Sequence, residues 1–282
     1  MLDAKAERRE TMKKIMILAF TMLMLVGCSG GENKTPSASK EMEFLEKASE
    51  KFEKTMAIRQ EEFDSYMESP CIENGEIKIE EFQNHKVAQV NRVNEKDVFL
   101  YEIELLDDGD WISIEKYTDE KKEIGTEETF VYENDICSDY DISKGILISD
   151  NPIKLLIEDI EKKGKYYTIK LEETDESYIL TSSLSDVKGY NDALMKENGG
   201  HKPSLVMEDG NQMEFDFIRS NDEYIFDKDY NLIESHHIFA EDYGNNLIAN
   251  IKTNWKYKKL DKMKYSYEEV MKLLSQAKQQ AE

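Results

Sequence analysis

Few stretches of this chain set residue types at spacings that could do chemistry, and each can be weighed in turn. Gly27, Ser29 and Gly31 spell G-x-S-x-G. That pattern presents a nucleophilic serine only between a buried strand and a helix. Here an apolar leader precedes it and the polar run "SGGENKTPSASK" follows, so no nucleophile is expected. Asp227, Asp229 and Asn231 match the first, third and fifth positions of a calcium loop. Leu232 and Ile238 then stand where that loop needs its glycine and its bidentate glutamate, which leaves a polar hairpin turn. His236 and His237 are adjacent, and on a strand adjacent side chains point to opposite faces, so they cannot share a metal. His85 and His201 have no Cys or His at ligand spacing. The acidic cluster of Glu123, Glu127 and Glu128 reads as a solvated turn. No H-E-x-x-H, Walker A, G-x-G-x-x-G or S-x-x-K arrangement has supporting context. The expectation is a protein that is not an enzyme, with no catalytic residue, metal or cofactor.

One cysteine is a stronger signal. Lys13 and Lys14 end a basic lead-in, and the apolar run from Ile15 to Val26 is too short to span a bilayer comfortably. Leu25-Val26-Gly27-Cys28 then resembles the lipobox of bacterial lipoproteins. The resemblance implies a diacylglyceryl group on the Cys28 thiol and cleavage of the signal before it, with Met12 as the natural start. Two acyl chains give stable anchoring where one is marginal. Residues 1–27 are thus expected to be a signal peptide, 28–40 the lipidated cysteine and a flexible linker, and 41–282 a single domain at the extracytoplasmic face of the cell membrane.

The formal net charge is -23. A surface of that sign repels nucleic acid and anionic headgroups and favours basic partners or cations. Cys71 and Cys137 remain in the mature chain, an even pair that permits a disulfide in an exported protein. Their spacing leaves open whether they meet or are two small apolar residues.

The elements that would position a site follow from periodicity. Leu45, Ala48, Phe52, Met56 and Phe63 share one helical face, predicting a helix that ends near Ser69-Pro70. Asn151 as N-cap, Pro152 in the first turn and Gly164 at the end mark a second helix. A third is expected from Asp186 to Glu197. The last opens with the capping box Ser266 to Glu269. Between them lies period-2 alternation: Phe99, Tyr101, Ile103 and Leu105 against Leu100, Glu102 and Glu104; Met213, Phe215 and Phe217 against Glu214 and Asp216; Ile251, Trp255 and Tyr257 against Lys252, Asn254 and Lys256. Such alternation marks antiparallel strands with one buried and one wet face. About nine or ten strands are expected, and a sheet that long must curl or close.

The helix after the linker, the meander of strands, the segment "GTEETFVYENDICSDYDI" and the late hairpin "EYIFDKDYNLIESHHIF" together resemble the lipoprotein-carrier superfamily of LolA and the mycobacterial lipoprotein LppX. The resemblance spans about residues 41–260 and leaves the capped C-terminal helix unmatched. It implies an α+β fold, a long curved antiparallel half-barrel with helices packed on its concave side, and a hollow that carries acyl chains. Phe99, Tyr101, Ile103, Met213, Phe215, Phe217, Ile251 and Trp255, the apolar halves of the cleanest alternations, are the expected ligand-binding residues. The expected function is a membrane-anchored protein that binds or shields an apolar ligand such as an acyl chain. The alternative is an envelope interaction or structural module with a filled hollow. The alternation of strands and helices typical of two-lobed solute receptors is missing. No protein partner can be named.

Overall fold

The computed structural model describes residues 39–73, 76–93, 98–118, 124–146, 149–207 and 210–281. The signal segment, Cys28, nearly all of the linker and Glu123 lie outside the described residues. Helix α1 (Lys40–Thr55) starts at Ser39, whose hydroxyl accepts from the backbone N–H of Met42, and it buries Phe44, Leu45, Ala48 and Phe52. It does not run on to Pro70. Residues Ile58–Glu73 form strand β1 instead, because they are paired on both sides, with β2 (Glu76–Arg92) and with β13 (Ile248–Lys259). Phe63 lies opposite Trp255, with ring centroids 4.4 Å apart. The β13 ladder stops at Met67, so the N–H that Pro70 lacks leaves no gap in it.

The chain continues through β3 (Val98–Leu106), β4 (Gly109–Tyr117), β5 (Ile124–Glu133) and β6 (Ile136–Ile146). Helix α2 (Pro152–Lys163) follows, then β7 (Tyr167–Glu173), β8 (Ser177–Leu184) and α3 (Val187–Glu197). The short strands β9 (Ser204–Val206) and β10 (Gln212–Glu214) lead to β11 (Asp216–Asp227), β12 (Leu232–Asp242), β13 and α4 (Tyr267–Ala281). Eleven strands form one open sheet in the order β6-β5-β4-β3-β2-β1-β13-β12-β11-β8-β7, and β9 pairs with β10 apart from it. Each ladder is antiparallel. The architecture is α+β, as expected, and the sheet does not close into a barrel.

Local chemistry fixes the helix ends. The Asn151 side chain accepts from the N–H groups of Ile153 and Lys154, and its Nδ2 donates to Ser49 Oγ at 3.0 Å, tying α2 to α1. At α4 the box is reciprocal: Ser266 N donates to Glu269 Oε2 at 2.7 Å, and Glu269 N donates to Ser266 Oγ at 3.3 Å.

Register shows that the helices do not share one side. Tyr257 pairs with Glu61, Glu61 with Ala88 and Ala88 with Glu104, so these four lie on one face. Gln60 pairs with Gln89, Gln89 with Ile103, Ile103 with Ile112 and Ile112 with Phe130, which lie on the other. Tyr257 belongs to the core made by α1 and α2 with Leu180, Tyr224, Phe226 and Leu232. Ile103, Ile112 and Phe130 belong to the core made by α4 through Val270, Leu273, Leu274 and Ala277. Cover on one side only is therefore corrected: α1 and α2 pack on one face, and α4 on the reverse face at the other end of the sheet. Each end buries a stripe of a short amphipathic helix rather than sharing one layer.

Candidate functional site

The eight residues expected to line one hollow are divided among separate cores. Tyr101 and Ile103 are fully buried beneath α4. Trp255 packs at the margin of the α1–α2 core. Met213, Phe215 and Phe217 meet Tyr243 and Ala249 in a third, smaller cluster. Met213 is in β10, off the main sheet, and Phe215 falls between two strands. Phe99 sits at a bulge between Val98 and Leu100. Val98 enters the α4 core, while Phe99 meets Tyr117 with ring centroids 5.7 Å apart.

Ile251 leads to a different arrangement. Its register partners are Phe239 on β12 and Met67 on β1, and Met67 pairs with Phe82 on β2. These four apolar side chains form a row across four strands on the α1–α2 face. None of them belongs to the three helix-packed or terminal clusters. Met67 and Ile251 are buried, and Phe82 and Phe239 half-buried. Three strand spacings make the row about 14 Å long. Alternation singled out Ile251 but could not find its partners, because pairing across strands is not written in any one segment.

The same face carries carboxylates at the β2–β5 end. Glu102, Glu104, Glu115 and Glu127 share it with Trp111 and Lys86. Glu102 and Glu104 were expected on a wet face, yet Glu104 is only 8% exposed. Lys86 contacts both, at 3.5 Å for Glu104. Burial works against the Lys86 charge, but the two carboxylates outweigh it and raise its pKa. Burial, with Glu127 and Glu102 nearby, pushes the Glu115 carboxyl up to about 8. Glu241 is also buried: Tyr243 Oη donates to its Oε2 at 2.6 Å, while Oε1 has no partner among the described residues. Burial pushes this carboxyl to about 7, against the lowering effect of that hydrogen bond.

A buried ion cluster locks the sheet to the lead-in of α2. The Arg59 side chain, 3% exposed, contacts Glu61 at 2.7 Å and Asp150 at 3.3 Å, and Asp150 also receives Arg92 Nε at 2.9 Å. Two surface cavities are bordered mainly by polar residues. One of about 510 Å³ lies between the β3–β4 and β5–β6 turns and includes Asp107, Asp110, Asp135 and Lys264. The other, of about 410 Å³, is lined by residues including Asp64, Tyr66, His85, Lys252 and Asn254.

The cysteine pair does not bridge. Cys71 is on β1 and Cys137 on β6, five strand spacings apart, or about 24 Å, where a disulfide needs Cα atoms within about 7 Å. The Cys137 thiol donates instead to the Leu273 carbonyl at 3.4 Å, under α4. The Asp227 carboxylate is spent on its own turn, accepting from the N–H groups of Asp229 and Asn231. His236 and His237 do diverge: the first meets Asn254 and the second Asp222, on opposite faces.

No family model matches the chain, and no curated protein matches it. Among solved structures it is similar to a DUF1329 family protein from Desulfovibrio piger, at 12% identity and a TM-score of 0.28, covering 82% of this chain and 98% of that one. The ywiB protein from Bacillus subtilis matches at 11% identity and a TM-score of 0.14, over 72% of this chain and 96% of that one. Superpositions this loose carry no argument about function.

Proposed function

We propose that the protein is a non-enzymatic, membrane-anchored lipoprotein of the extracytoplasmic face that binds an extended apolar ligand, an acyl chain being the simplest case. The observation behind this reading is the row Phe82–Met67–Ile251–Phe239, apolar side chains aligned across four strands outside the helix-packed cores. Each methylene laid along it would contribute about 0.8 kcal/mol before the cost of association. The anchor rests on the leader and Leu25–Cys28. Wild-type protein should carry acyl mass at Cys28, and Cys28→Ala should stay uncleaved and lose it; an unmodified wild-type thiol ends the membrane assignment.

A second reading, an interaction module with no apolar ligand, draws on the burial of Tyr101 and Ile103 beneath the protein's own α4. One experiment separates the two. A chain starting at Ser29 is titrated with a fatty acid or an apolar dye, beside a thermal melt of each variant. Under the ligand reading wild type binds, and Phe239→Ser loses affinity by about tenfold while still melting cooperatively. Wild type that binds nothing, and whose native mass spectrum shows no co-purified lipid, favours the module.

A further inference from the structure

Strand register gathers three donor side chains that the sequence scatters. Glu62 and Asp64 are two residues apart on β1 and so share a face. His85 on β2 lies directly opposite Asp64, with Nδ1 2.7 Å from Asp64 Oδ1. One oxygen from each carboxylate and one imidazole nitrogen all lie within 4.8 Å of one another. The group is at the surface, on the face opposite the apolar row, and Asp64 and His85 also line the 410 Å³ cavity. The cross-strand row runs on through Asn254 to His236, joined at 2.8 Å, so a further amide oxygen and a second imidazole stand on the next two strands.

Donor chemistry narrows the ion. Carboxylates alone suit Ca²⁺ or Mg²⁺, whereas adding an imidazole shifts preference to Zn²⁺ and its neighbours. We propose that Glu62, Asp64 and His85 bind a divalent transition-metal ion of the Zn²⁺ class, with water completing its coordination. The net charge of -23 concentrates cations at the surface. Two exposed contacts must yield: the His85–Asp64 hydrogen bond, which the metal replaces, and the contact of Lys256 Nζ, 4.0 Å from Glu62 and more than half exposed. This site stands independently of the apolar-ligand reading.

The test is a Zn²⁺ titration of the full chain in detergent micelles by equilibrium dialysis. Wild type should bind one Zn²⁺ that is lost, by tenfold or more in affinity, in both His85→Gln and Glu62→Gln, each melting like wild type. A hundredfold excess of Ca²⁺ should leave the Zn²⁺ bound. If His85→Gln binds as tightly as wild type, or Ca²⁺ displaces Zn²⁺ at equal concentration, the proposal is overturned. A measurement on wild type alone guards against misfolded variants: Zn²⁺ should protect the His85 ring from carbethoxylation, read by peptide mass spectrometry. Labelling of His85 unchanged by Zn²⁺ overturns it equally.

Discussion

The two ends of the sheet are built from the same alternating strands, yet their helices pack on opposite faces. From β13 to β7 the face under α1 and α2 is apolar. From β2 to β5 that same face mixes Glu102, Glu104, Glu115 and Glu127 with Val90, Trp111 and Val131, and the helix-packed apolar core lies on the other face, under α4. Alternation in a strand says that two faces differ; where a helix docks decides which becomes core. The described helices sit at both ends and on both faces of the open sheet, and the apolar row lies between them on the α1–α2 face, with Met67 and Ile251 buried and Phe82 and Phe239 half-buried.

Neighbouring substitutions give the sharpest test of this division. Ile103 is 0% exposed and Glu104, next to it, faces the other side. Ile103→Asp should abolish folding, since an unpaired buried charge costs more than about 4 kcal/mol. Glu104→Gln should cost less than about 1 kcal/mol, because Lys86 keeps Glu102. A urea melt of the pair decides it; equal losses would mean both faces are core there. Next in size is Arg59→Ala, which strips Asp150 of one of its two arginine partners and should cost about 3–5 kcal/mol by the same assay.

The charged end should also make stability depend on pH. The folded-state pKa of Glu115, about 8, lies above its ordinary value of 4.5. The folded chain therefore holds that proton more tightly than the unfolded chain. The resulting stabilisation is full below about pH 4.5 and is lost as pH rises through about 8. Glu115→Gln should thus melt above wild type at pH 9, by on the order of 1 kcal/mol after solvent screening, and level with it near pH 4. A gap that does not grow with pH would remove this carboxyl from the account. The smallest effect belongs to the α4 end: Ser266→Ala breaks the capping box and should cost about 1 kcal/mol or less, seen as a lower melting temperature.

What the sequence disclosed divides along the same lines. Caps at Asn151 and Ser266 were legible because a cap is satisfied by the next three residues. The strand character of Ile58–Glu73 was not, since apolar residues in that charged stretch also fit a helical face and only pairing with β2 and β13 decides between them. The candidate site was least legible of all. Tyr101 and Trp255 stand in equally clean alternations, but register over several strands puts them on opposite faces. Phe99 was displaced by a bulge of a single residue. The Glu62–Asp64–His85 group depends on the same long-range register.

The β1–β2 hairpin outruns its neighbours. β13 leaves β1 after Met67, and β3 joins β2 only from Ala88 onward, so about six residue pairs at the tip extend beyond both ladders. That is an arm roughly 20 Å long whose two strands form sheet ladders only with each other, with Pro70 buried and Ile79 packed against the Phe215–Tyr243–Ala249 cluster. Glu76, Lys78, Glu80, Glu81 and Pro70 line it. The exposed Glu76, Glu80 and Glu81 would set like charges against like in a second copy approaching in register, which guards the arm against fibrous self-assembly.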